Sequence, residues 1–149
     1  MSSQNASSGY AGDISVAEAW KLLESNPKAQ LVDVRTVAEW NYVGLPDLAH
    51  VGREVHQVEW QSFPTMNVNP DFVATTAAAV QRAGAGNDAP LLFLCRSGVR
   101  SRAAAIAMTQ AGFTHAYNVA GGFEGDLDDQ RHRGHRNGWK SAGLPWRQS

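Results

Sequence analysis

The most restrictive feature of this sequence is Leu91-Leu92-Phe93-Leu94, an apolar run with no polar alternation. A strand wetted on one face alternates apolar and polar residues, whereas an unbroken run belongs to a strand covered on both faces, as in parallel sheets flanked by helices. Gln30-Leu31-Val32-Asp33-Val34 reads as a second buried strand and His115 to Val119 as a third. Helix signals fall between them. Ser15 and Glu18 have capping-box spacing around the start of an apolar stripe, Val16, Ala19, Trp20, Leu22 and Leu23, so a helix is expected over 16–25, ended by Asn26-Pro27. Thr36 and Glu39 repeat the spacing and predict a short helix over 37–43, stopped at Gly44. Asn69-Pro70 offers a cap and then a proline suited to the first helical position, starting a helix that runs to Arg82 ahead of Gly84. Ser101 to Ala111 forms a further helix closed by Gly112. Residues 45–69 are dominated by turn formers, with the alternating piece Val55-His56-Gln57-Val58 as a candidate strand. Strands alternating with helices at this spacing imply an α/β domain, with a mainly parallel central sheet flanked by helices on both faces.

A chain of 149 residues is long enough to bury a core as a single domain. The expected division is a mobile segment over 1–12, polar and small, followed by one domain over 13–149. Its tail from Glu124 onward carries glycines, prolines and charges without periodicity and is expected to be irregular. The start of the chain has neither a basic cluster nor an apolar run, so it reads as neither signal peptide nor anchor. No segment approaches the ~20 apolar residues that cross a bilayer. The expectation is a cytoplasmic protein with no membrane partner, a setting in which a free thiol stays reduced.

Cys95 is the one cysteine, which excludes an internal disulfide and any structural zinc site built on several thiolates. It stands directly after the Leu91–Leu94 run, and Arg96-Ser97-Gly98-Val99-Arg100 leads from it into the helix that begins around Ser101. Ligands of open parallel sheets bind outside the carboxyl ends of the strands, where this cysteine falls. A loop curling into a helix N-terminus gathers backbone N–H groups and partial positive charge around one point. Gly98 allows a tight conformation closed to most side chains. A sulfur held there is stabilised as the nucleophilic thiolate, and Arg96 and Arg100 add charge for an anionic substrate. The alternative is a small buried hydrophobe at the end of its strand, with solvated arginines. The glycine, the flanking arginines and the helix start favour the functional thiol, because an inert cysteine needs none of them.

Taken with Leu31-Val32-Asp33-Val34-Arg35, Glu39-Trp40, Val119-Ala120-Gly121-Gly122 and Gly138-Trp139-Lys140-Ser141-Ala142-Gly143-Leu144-Pro145, the cysteine loop resembles that of the rhodanese family, the single-domain sulfurtransferases. The resemblance runs from about Ile14 to Trp146 and implies a rhodanese fold. It also implies a reaction in which Cys95 takes a sulfane sulfur from a small anionic donor such as thiosulfate and holds it as a persulfide. Cyanide or a thiol then removes the sulfur. No metal or cofactor is implied. Substrate contacts fall to Arg96, Ser97, Gly98, Val99 and Arg100, with Ser101, Asp33 and Arg35 in support; for the last two, a strand-end salt bridge on the surface is an equal alternative. Residues 44–55 depart from the family pattern, which leaves the second strand and its part of the site open.

Two other classes compete. One is a sulfur-relay or interaction module that passes the persulfide to a partner protein. The other is a cysteine phosphatase or arsenate reductase, whose loop sets five residues between cysteine and arginine; here four separate Cys95 from Arg100. His132 and His135 are candidate metal ligands with Cys95, but Arg131, Arg133 and Arg136 among them favour a flexible basic tail. Residues 1–90 carry ten acidic and five basic side chains, and residues 91–149 four and eight, so the same arginines offer a basic rim for anions. A net charge of -1 argues against nucleic acid as a partner.

Overall fold

In the computed structural model, which describes residues 9–62 and 64–148, short strands alternate with four helices. In chain order these are β1 (Gly12–Ile14), α1 (Val16–Ser25), β2 (Gln30–Asp33), α2 (Val37–Tyr42), β3 (Leu45–Pro46), a 3-10 turn (Ala49–Val51), β4 (His56–Gln57), β5 (Gln61–Ser62), β6 (Asn67–Val68), α3 (Phe72–Arg82), β7 (Leu91–Leu94), α4 (Val99–Gln110), β8 (Ala116–Val119) and β9 (Trp146–Arg147).

Five strands form the central sheet in the order β1-β8-β7-β2-β4, and all four pairings are parallel. The unbroken apolar run of β7 has the expected cause. Leu91 and Phe93 face a core of Val32, Phe72, Val80, Ala104, Ala105 and Met108, from β2, α3 and α4. Leu92 and Leu94 face the opposite core of Val16, Ala19, Leu23, Leu31, Phe123 and Trp139, from α1, β2 and the tail. All four β7 side chains are fully buried, and each contributes about 1.5–3 kcal/mol by leaving water.

The capping boxes of α1 and α2 form as their spacing predicts, on Ser15 with Glu18 and on Thr36 with Glu39. Other boundaries move. Helix α3 begins at Phe72 rather than at Pro70, because the Asn69 carboxamide accepts the Asp71 N–H and the Asn69 carbonyl accepts that of Phe72, making a turn ahead of the helix. Helix α4 begins at Val99, two residues early, with Gly98 as its cap at φ +121°. The segment 44–69 does supply the second strand, β4, which pairs with β2 through Val32 and Asp33.

Of the segment expected to be mobile, residues 1–8 lie outside the described residues. Its remainder is fixed to the sheet edge: Tyr10 is buried, the Ala11 N–H donates to Ala116, and β1 already begins at Gly12. The tail is irregular for most of its length but is tied down, with Trp139 fully buried and β9 antiparallel to β3. Among the described residues no helix is long and apolar enough to cross a membrane.

Candidate active site

Cys95 follows β7 directly, and its side chain is buried at 1% exposure. The loop that follows turns back over the sulfur within three residues because Gly98 takes a positive φ that a side chain would oppose. This brings the Gly98 N–H to 3.1 Å from Cys95 Sγ. Ser101, in the first turn of α4 and fully buried, places its hydroxyl oxygen 3.2 Å from the same sulfur. The sulfur therefore meets one backbone donor, and beside it a hydroxyl within reach, at the amino end of a twelve-residue helix, the setting that stabilises negative charge on it.

The backbone behind the loop is held from β8 and the start of the tail. Phe123 N–H donates to Cys95 O, and the N–H groups of Glu124 and Gly125 both donate to Arg96 O. Gly122 makes this approach possible. A Cβ there would lie 2.5 Å from the carbonyl oxygens of Cys95 and Arg96.

Arg100 pairs with Glu39 of α2, with Nη1 on Oε1 at 2.7 Å and Nη2 on Oε2 at 3.0 Å. Burial works to raise the Glu39 pKa, but the Arg100 hydrogen bonds and charge, with the Thr36 contacts, bring it down to about 2. Burial likewise opposes the charge on Arg100, and the Glu39 carboxylate outweighs it, so its pKa is raised. The pair braces the loop against α2. Val99 is 76% exposed and Arg96 is also exposed, so both face solvent at the rim.

Asp33 and Arg35 form a fully buried pair, not a surface salt bridge. Arg35 donates Nε and Nη2 to the Asp33 carboxylate and Nη2 also to Gly44 O, while its guanidinium lies 4.2 Å from the centre of the Phe123 ring. Its link to the loop runs through Phe123 and that residue's bond to Cys95.

His132 and His135 gather with Asp128 on the surface, their ligand atoms within 4.8 Å of one another, and Cys95 is not part of that group. The tail arginines are partly engaged: Arg133 donates to Gly125 O and Arg136 pairs with Asp129. A cavity of about 580 Å³, lined by Gln30, Arg53, Glu54 and His56, opens near the amino end of β2, whereas Cys95 follows the carboxyl end of the parallel neighbour β7.

Several residues near the sulfur were not singled out for the site from sequence. Glu39 was read as a capping residue, and it serves both roles. Asn118, which accepts the Ser101 hydroxyl at 2.6 Å, had no local signal at all. Gly122 was visible within Gly121-Gly122, but its contact with the loop was not.

The sequence pattern of the STR4 middle domain family matches residues 11–149. An uncharacterized protein of Rickettsia conorii is 38% identical over 137 residues, which cover 90% of this chain and 95% of that protein. A protein of Actinobacillus pleuropneumoniae named thiosulfate sulfurtransferase GlpE is 26% identical over 138 residues, covering 89% and 90%. Among solved structures, Rv0390 from M. tuberculosis is similar at a TM-score of 0.80 and 51% identity, over 94% of this chain and 99% of that one. The polysulfide-sulfur transferase homodimer of Wolinella succinogenes is similar at a TM-score of 0.57 and 21% identity, covering 98% and 88%, a likeness of fold.

Proposed function

Because this chain belongs to the STR4 middle domain family and has a rhodanese-like fold, we propose that it is a sulfurtransferase in which Cys95 carries sulfane sulfur from a small anionic donor to a thiophilic acceptor. The observation that carries this reading is the sulfur itself, set beyond the carboxyl end of β7 with the Gly98 N–H on Sγ and the Ser101 Oγ 3.2 Å away. Cys95 is the one cysteine in the chain, so no second thiol competes for the persulfide and the sulfur leaves to an external acceptor.

With thiosulfate as donor, the Cys95 thiolate attacks the outer sulfur. The new S–S bond forms as the old one breaks, and its electron pair leaves with sulfite. The negative charge then sits on the outer sulfur of the persulfide, where the N–H groups of the 96–100 loop would stabilise it in place of water. Cyanide or a thiolate attacks that outer sulfur next and returns Cys95 as thiolate. No proton is transferred in either half.

Thiosulfate as the donor is favoured by the name of the Actinobacillus relative. A phosphoryl-transfer reading is disfavoured by the loop, in which four residues and not five separate Cys95 from Arg100. Mass spectrometry of the intact protein after incubation with thiosulfate is expected to show one added sulfur, absent from Cys95→Ser and removed by cyanide. No adduct with thiosulfate or polysulfide in folded protein would reject the reading.

A further inference from the structure

Asn118 lies on β8 behind Ser101 and is 3% exposed. Its amide has one orientation that satisfies its partners. The parallel register of β1 and β8 sets Asp13 beside Asn118, and Asn118 Nδ2 donates to Asp13 Oδ1 at 3.0 Å. That same oxygen accepts the Tyr10 hydroxyl at 2.8 Å. An ionised carboxylate only accepts, so the amide nitrogen must face Asp13 and the amide oxygen must face inward. There it meets Ser101 Oγ at 2.6 Å, and Ser101 Oγ is also 3.2 Å from Cys95 Sγ. A serine hydroxyl has one hydrogen, so it donates to the amide oxygen or to the sulfur, not to both.

We propose that Asn118, oriented by Asp13, is a positioning residue that makes the Ser101 hydroxyl respond to charge on Cys95 Sγ and so favours the sulfur-loaded form over the bare thiolate. The loading step is that of the sulfurtransferase reading and rests on it. In the thiol, S–H donates to the Ser101 oxygen and the Ser101 hydrogen stays on Asn118. In the persulfide, the charge has moved to the outer sulfur, Sγ is a neutral divalent sulfur and a weak acceptor, and the Ser101 hydrogen again stays on Asn118. The bare thiolate alone competes for that hydrogen. If it wins, a buried amide oxygen is left unpaired; if it loses, an anion faces a lone pair. The strain is relieved when Sγ takes up sulfur. Among the described residues the Gly98 N–H meets Sγ alone and does not discriminate between the states in this way.

The charged and titratable groups around the sulfur and its hydrogen-bond chain include Arg96 in the loop, Arg100 of α4 with Glu39 of α2, the Asp33–Arg35 pair, Tyr10 and Asp13 by β1, and Arg102 of α4, whose charge acts on Tyr10. Asn118→Ala changes none of their charges. Because Cys95 is the one thiol, its ionisation can be followed by the rate of alkylation with iodoacetamide across pH. In Asn118→Ala the midpoint of that profile is expected to fall by roughly 0.5–1 pH unit. The ratio of persulfide to bare thiolate, read above the midpoint at a fixed ratio of thiosulfate to sulfite, should fall about 3- to 10-fold.

In the Ser101→Ala background the Asn118→Ala shift is expected to vanish. Asp13→Ser, on an exposed residue, frees the amide to turn, and its effect beyond the lost charge is the part that also vanishes with Ser101→Ala. Unchanged midpoints in both Asn118→Ala and Asp13→Ser, or a shift that persists in full without Ser101, would overturn the inference. Alkylation needs no sulfur donor, so a moved midpoint in a protein that never takes up sulfur would uphold the role of Asn118 at the thiol and reject sulfur transfer.

Discussion

Gly122 lacks a side chain for a reason that has little to do with its own backbone preference. Its φ of +64° disfavours other residues, but Gly52, at +70°, shares that conformation and a Cβ there would meet nothing within 4 Å. The two positions separate conformation from contact. Gly52→Ala is expected to cost about 1 kcal/mol, the price of the left-handed conformation alone. Gly122→Ala adds a clash with the carbonyls of Cys95 and Arg96, and its cost should exceed about 3 kcal/mol, with sulfur transfer lost as the loop is displaced. Urea unfolding of the two variants measures the difference, and equal costs would show that the loop gives way freely. Arg35 illustrates the same point at a charged residue. Removed from water, its guanidinium is met by Asp33, the Gly44 carbonyl and the Phe123 ring together.

Helix α2 has six residues, too few to persist alone, so it depends on its cap and on its neighbours. Glu39 supplies both. One carboxylate oxygen accepts the Thr36 N–H and an Arg100 N–H, and the other accepts a second Arg100 N–H, so the loop brace and the helix start share one side chain. Glu39→Gln is expected to lower stability by about 1–2 kcal/mol at neutral pH. It should also reduce kcat/KM, as Arg100 and the 96–100 loop lose their fixed partner. The pH dependence has a defined sign. Glu39 titrates at about 2 in the folded protein against an ordinary 4.5, so its contribution is full above about 4.5 and is lost as the pH falls toward 2. Urea midpoints of the wild type and Glu39→Gln should therefore differ at pH 7 and converge near pH 2–3. A gap that stays constant across that range would exclude the ionised carboxylate as its cause.

In the whole molecule, the irregular tail completes one face of the core. Trp139 is fully buried against Trp20, with ring centres 5.9 Å apart, and its indole N–H donates to Pro145 O at 2.7 Å. Trp139→Ala is expected to cost about 3–5 kcal/mol, measured by urea unfolding, a value typical of a core residue and not of a loose tail. That packing also seats Phe123, and through it the backbone of Cys95. Much of this architecture was legible beforehand. The unbroken run of β7, both capping boxes, the alternation of strand and helix, and a cysteine at a strand end are written in neighbouring residues, whose backbone preferences and periodicity act locally. The start of α3 is not fixed locally, because Asn69-Pro70 can make either a cap or a turn. The sequence by itself thus determined a parallel α/β domain with its thiol in a helix-start loop. Only the tertiary structure decided which residues support that thiol, because Glu39 and Arg100 are 61 positions apart, and Asp13 and Asn118 are 105 apart. They meet through the packing of α2 against the loop and the pairing of β1 with β8, contacts between distant segments that no local pattern encodes.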